Sequence, residues 1–242
     1  MKHTRLLRLA FLFLLGNTAL AQSSIDTIFA GHLLPGNKNI QPGETRFVML
    51  IHSGNSYNNI KFLDRKIERT ADKLTVVQKL FNGSFVNIDS VVLDAGSLTP
   101  LESYSDINTS KDSFSYTNNK ITGTMLLREG AQKGTTQAVD TAFPHPMFNG
   151  LIYPETLQAL SYRKDHPFVL AEYIPGHNTK YARIEYLKDE ELELSGAHFQ
   201  TRVIEARIGG LTIRYWLNAA GQELLKIEGK FPAFDYQMLR VI

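Results

Sequence analysis

Apolar residues along most of this chain fall in short runs that alternate with polar ones and stop at turn-forming residues. Arg46 to Ile51 follows Pro42-Gly43 and ends at Ser53-Gly54-Asn55. Ile60 to Thr70 is longer and more charged, and Leu74 to Phe81 stops at Asn82-Gly83, a hairpin dipeptide. Phe85 to Leu93 then sets Val86, Ile88 and Ser90 on one face and Phe85, Asn87 and Asp89 on the other, because strand side chains alternate. Ser113 to Thr117 and Ile121 to Leu127 flank Asn118-Asn119, which tolerates the positive φ of a tight turn.

The pattern repeats in the C-terminal part. Val169 to Ile174 stops at Pro175-Gly176, and Tyr181 to Leu187 alternates. Phe199 to Ile208, Gly209-Gly210 and Leu211 to Leu217 read as a hairpin with a two-residue loop. Asn218 to Gly221 turns the chain and Glu223 to Lys230 runs back. Strands at this spacing predict a mainly β fold: an antiparallel, strongly curved sheet or (half-)barrel.

One stretch breaks the rhythm. Gly130 to Leu151 is rich in Gly, Thr and Pro, and its prolines disfavour a central strand. Pro154 to Tyr162 follows, with Pro154 suited to a first helical turn and Glu155 to the positive end of the helix dipole. Tyr153, Leu157 and Leu160 form its apolar stripe. The expectation is one short helix between two β halves: an N-terminal half at 22–129, a Pro-rich crossover with the helix at 130–162, and a C-terminal half at 163–242, all one domain.

The N-terminus changes how charge is read. Lys2, Arg5 and Arg8 precede the apolar run Leu9 to Leu15, and Ala19-Leu20-Ala21 offers small residues for a peptidase, the layout of a cleaved signal peptide over 1–21. The run is shorter than the roughly 20 residues a membrane-spanning helix needs. Removing those three bases from 26 leaves 23 against 24 acids. No concentrated positive field remains, so nucleic acid is not an expected partner. The expected location is outside the cytoplasm, in the periplasm of a Gram-negative bacterium or secreted, without a transmembrane segment. The chain contains no cysteine, which removes thiol catalysis, cysteine–zinc sites and disulfides.

Candidate chemistry is thin. His32, His52, His145, His166, His177 and His198 show neither the i, i+4 spacing of a helical zinc pair nor an H-E-x-x-H, so no metal and no cofactor is expected. No G-x-S-x-G elbow occurs. The acidic run Lys188 to Glu193 lacks the ligand spacing of a calcium loop and reads as a solvated hairpin tip. Asn82-Gly83-Ser84 and Asn108-Thr109-Ser110 fit the glycosylation acceptor pattern, which matters only in a eukaryotic secretory route. His145, between Pro144 and Pro146, has the most unusual setting. With Phe143, Met147, Phe148, Tyr153 and Trp216 it makes the candidate ligand-binding set, while a core role competes for Trp216 and for the Phe-Met residues.

Two segments carry a resemblance. Asp89-Ser90-Val91-Val92-Leu93-Asp94 with Leu98-Thr99-Pro100-Leu101-Glu102-Ser103-Tyr104, and the hairpins from Gly196 to Gly229, resemble an uncharacterised family of exported bacterial proteins, DUF3108. The sheet pattern is also similar to that of LolA/LolB-type lipoprotein carriers, half-barrels that hold acyl chains beneath a helical lid. The resemblance implies a curved envelope β protein and brings no catalytic residues. Three readings follow. The first is a binding or carrier protein for an apolar or amphipathic ligand or an envelope protein, with the 130–162 segment as cover. The others are an envelope hydrolase with His145 as base, and a structural envelope protein without a ligand.

Overall fold

The computed structural model describes residues 25–53, 56–83, 85–173 and 179–242. The leader read at 1–21 and the turn at Pro175-Gly176 lie outside them. After a short β1 (Thr27–Ile28), the N-terminal half runs as an up-and-down meander. Its strands are β2 (Gly43–Ser53), β3 (Ser56–Arg69), β4 (Lys73–Asn82), β5 (Phe85–Asp94), β6 (Pro100–Asp106), β7 (Ser110–Thr117), β8 (Lys120–Leu127) and β9 (Thr136–Ala142). The crossover holds β10 (Phe148–Asn149) and helix α1 (Tyr153–Ala159). The C-terminal half is a second meander of β11 (Phe168–Tyr173), β12 (Lys180–Leu194), β13 (Ala197–Ile208), β14 (Leu211–Asn218), β15 (Leu224–Lys230) and β16 (Asp235–Arg240). No described helix is long and apolar enough to cross a membrane.

The halves join into one 16-stranded sheet because β16 pairs antiparallel with β2, Met238 opposite Met49. Only β1 and β10, both on β11, pair in parallel. Laid flat, strands about 4.8 Å apart would spread this path over more than about 60 Å. Yet inward residues from nearly the whole width, Phe47, Val91, Leu170, Ile204 and Met238 among them, share one core with Leu157 and Ala159 of a seven-residue helix. The sheet therefore curls around the helix. All seven helical residues are buried, so α1 is not a lid with one wet face but a plug enclosed on every side. Burying an aliphatic side chain such as Leu157, wholly covered here, contributes about 2 kcal/mol.

The curl stops short of strand-to-strand closure, leaving β1 and β9 as edges. The crossover bridges the gap instead. Phe143 N donates to Asn119 O at 2.7 Å on one side, and Ala30 N donates to Pro146 O at 3.2 Å on the other. Phe143 and Met147 pack with Phe114, Ile121 and Met125 of β7 and β8 and with Ala171 and Tyr173 of β11, a small second core between the two ends of the sheet. The prolines sit in this bridging stretch and β9 lies at an edge, as residues lacking a donor require.

Two expectations change. The acidic run at 188–193 lies inside β12 rather than at a tip, with Asp189 opposite Arg202 and Glu190 opposite Thr201. The turn comes at Ser195-Gly196, both with positive φ. Glu155 does begin the helix with Pro154, but it meets a buried cation, described below, rather than the helix dipole alone.

Candidate functional site

The inner face of the N-terminal half changes character along its strands. At one end Leu74 and Val76 of β4 and Leu93 and Val91 of β5 are buried under α1. That end is closed further by Leu34 and Ile40, which join the same core, and by Asn37, whose Nδ2 donates to Gly96 O at 2.7 Å. Farther along the same strands the inward positions are Gln78 and Leu80, then Asp89 and Asn87, all only partly buried. The fold is thus a cup with a packed floor and an accessible mouth.

At the transition a polar row crosses the sheet in register: Arg65, Gln78, Asp89, Ser105 and Asp112 sit on β3 to β7, each opposite the next. Arg65 Nε donates to Glu155 Oε1 at 2.7 Å, and its Nη2 donates to Glu155 Oε2, making a buried bidentate pair between sheet and helix. Arg65 Nη1 donates to Gln78 Oε1 at 2.8 Å, and Gln78 Nε2 donates to Asp89 Oδ2 at 3.1 Å. Ser105 Oγ donates to Asp89 Oδ1 at 2.6 Å, and Ser110 Oγ donates to Asp112 Oδ2 at 3.1 Å. Burial raises the Asp112 carboxyl above its ordinary range, the Ser110 bond opposes this, and the nearby Asp89 adds to the rise. Neither Asn87 Oδ1 nor Asp112 Oδ1, both buried, has a hydrogen-bond partner among the described residues. Leaving such an acceptor unmet costs about 1–3 kcal/mol.

Two cavities lie along this row. The polar one, about 680 Å³, is walled by Asn87, Asp89, Ser105 and Asp112, with Phe114 and Met125 behind them. The apolar one, about 450 Å³, is walled by Met49, Ile51, Leu80, Tyr153, Phe231 and Tyr236. Asn87, Asp89 and Leu151 belong to both walls, so the cavities form one trough beside the start of α1. The Tyr153 hydroxyl is buried in the apolar part without a partner among the described residues, and burial lifts its pKa well above the phenolic value.

Of the residues singled out in the sequence, Tyr153 alone walls either of these cavities. Phe143 and Met147 fill the small second core and Phe148 the main one. His145 is exposed, its ring 4.3 Å from that of Phe29, with no carboxylate or hydroxyl partner among the described residues. Trp216 is buried on the outer face, opposite in pleat to core residue Tyr215. Its Nε1 donates to Glu190 and the Lys226 ammonium lies 4.4 Å from its ring centre. The described residues contain no cluster of three His, Asp or Glu able to hold a metal ion. Sequence reading missed Arg65, Gln78, Ser105 and Asp112. The available signal was polar residues recurring at the inward parity of consecutive strands.

A wide antiparallel sheet rolled around a buried helix, with a half-polar, half-apolar trough at its mouth, defines a cup-shaped β protein. The chain belongs to the family described as protein of unknown function (DUF3108), whose model matches residues 52–236. No curated protein matches it. No solved structure matches it either, so the likeness to lipoprotein carriers gains no support from known folds.

Proposed function

We propose that the protein binds an amphipathic small molecule in the trough at the mouth of the cup. The observation that carries this is the apolar cavity walled by Met49, Ile51, Leu80, Phe231 and Tyr236, which shares Asn87, Asp89 and Leu151 with an adjoining polar one. A concave, mostly apolar site with a few placed polar groups is the usual form of a ligand pocket. The buried hydroxyl of Tyr153 and the unmet oxygens of Asn87 and Asp112 supply those groups. We take the site of action to be outside the cytoplasm, in the periplasm, on the strength of the leader pattern.

Native mass spectrometry of protein purified from its own host tests this. Bound small molecules are expected on the wild type and fewer on Ile51→Trp, which narrows the apolar cavity. A bare wild-type protein that also takes up no alkyl probe would sink the proposal.

A further inference from the structure

The polar cavity is more specific than its size suggests. Its walls hold Asp89, Asp112 and Glu129 and no lysine or arginine. The nearest cations are spoken for: Arg128 Nη1 donates to Asp106 Oδ1 at 2.6 Å and to Ile107 O at 2.7 Å, and Arg65 is held by Glu155. The hydrogen bonds reaching the two aspartates come from neutral groups of the protein itself, Gln78, Ser105 and Ser110. Asp112 is 6% exposed, and on two of the wall residues the buried oxygens Asn87 Oδ1 and Asp112 Oδ1 have no hydrogen-bond partner among the described residues.

We propose that this cavity is a socket for a cationic, hydrogen-bond-donating group, an ammonium or amidinium, at the head of the ligand whose apolar part occupies the adjoining cavity. The inference rests on the amphipathic-ligand reading above. An ammonium brings three donors and a charge, so it can supply a donor to an unmet oxygen such as Asp112 Oδ1 and relieve the repulsion between Asp89 and Asp112. A hydroxyl head would meet the oxygens without offsetting the charge. A carboxylate or sulfate head would add to the repulsion.

Three probes with one chain length separate these cases by calorimetric titration of the full chain below their micelle concentrations: dodecylammonium, dodecanol and dodecanoate. Dodecylammonium is expected to bind at least about tenfold tighter than dodecanol, as a charge-assisted contact requires, with dodecanoate weakest. Asp112→Asn should remove most of the ammonium's advantage over dodecanol. If that variant does not fold, the ranking of the three probes on the wild type decides alone. Dodecanol or dodecanoate binding as tightly as the ammonium would overturn the cationic socket while leaving an amphipathic site. Binding of none of the three would overturn both.

Discussion

The two meanders share one pleat and one helix but use their inner faces differently. In the C-terminal half the inward residues Leu170, Ala182, Ile184, Ile204, Ala206 and Leu217 are all covered, Glu172 is a buried acid at the same inward parity, and the Glu205 contacts with Arg207 and Arg214 lie on the outer face. In the N-terminal half the same inward parity turns from Leu74 and Val76 to Gln78, and from Leu93 and Val91 to Asp89. The C-terminal half keeps an apolar inner face out to Phe231 and Tyr236, which wall the apolar cavity. The N-terminal half gives up apolar packing partway along and supplies the polar wall of the trough. A polar residue on an inward position is costly unless satisfied, and the row from Arg65 to Asp112 offsets most of that cost through its own hydrogen bonds and the pair with Glu155.

The sharpest test of that contrast is the tie between row and helix. Glu155→Ala leaves the Arg65 guanidinium buried without its counter-ion, and loss of about 3–5 kcal/mol is expected by denaturant unfolding. Replacing the pair together, Arg65→Met with Glu155→Leu, should recover most of it. A loss under about 1 kcal/mol in the single variant would show that the row is solvated and the contrast overstated.

Next come two glycines, one in each half, beneath cross-strand aromatics. A Cβ on Gly123 would stand 2.1 Å from Ser113 O and 2.9 Å from Phe114 Cα, both backbone, so Gly123→Ala is expected to cost about 3 kcal/mol or more. On Gly229 the Cβ would strike only the Tyr236 ring, 2.0 Å from Cε1, and the ring can swing toward the trough. Gly229→Ala should therefore cost about 1–2 kcal/mol and weaken binding of an alkyl probe. Equal losses in the two variants would show that Tyr236 is as immovable as backbone.

A third test uses the deepest acid of the C-terminal half. Burial pushes the Glu172 carboxyl up to about 7 from 4.5, against the pull of Lys180. Between those values the folded chain holds a proton that the unfolded chain has lost, so stability falls as pH rises from about 4.5 through about 7. Below that window the group contributes no slope. Glu172→Gln should match the wild type at low pH and exceed it by about 3 kcal/mol at pH 8. Parallel stability–pH curves for the two proteins would contradict it.

The smallest effect belongs to the outer surface. Arg46 and Asp64 pair across β2 and β3 in solvent, where an ion pair contributes little. Arg46→Ala should shift the thermal midpoint by a few degrees at most.

The sequence displayed the fold better than the site. Turn dipeptides at Asn82-Gly83, Asn118-Asn119 and Gly209-Gly210 marked hairpins, and Pro154 marked the helix. β1 and β10, two residues each, and three longer strands gave no such signal. β6 (PLESYSD) opens with proline and carries little apolar alternation, and β9 (TQAVDTA) is an exposed edge. β16 is held by pairing with β2, almost the whole chain away. The acidic stretch of β12 is strand because β13 pairs with it, a tertiary contact outweighing local preference. The alternation in β5 did separate Asn87 and Asp89 from Ile88, but one strand's pattern does not say which face looks inward. The polar row exists only once five strands stand in register. Aromatic richness drew attention to the crossover instead, where Phe143, Met147 and Phe148 turn out to seal the gap in the sheet.

The pairing of β16 with β2 also sets an order of events. One edge of β2 pairs with the adjacent β3, but the other finds its partners at 235–240, so β2 keeps a row of unpaired amides and carbonyls on that edge until the far end of the polypeptide has been made. Contacts of such long sequence separation slow the search for the native state. A chain cut short before residue 235 would leave this strand as a sticky template, whereas one delivered whole across a membrane before folding would meet both strands at once.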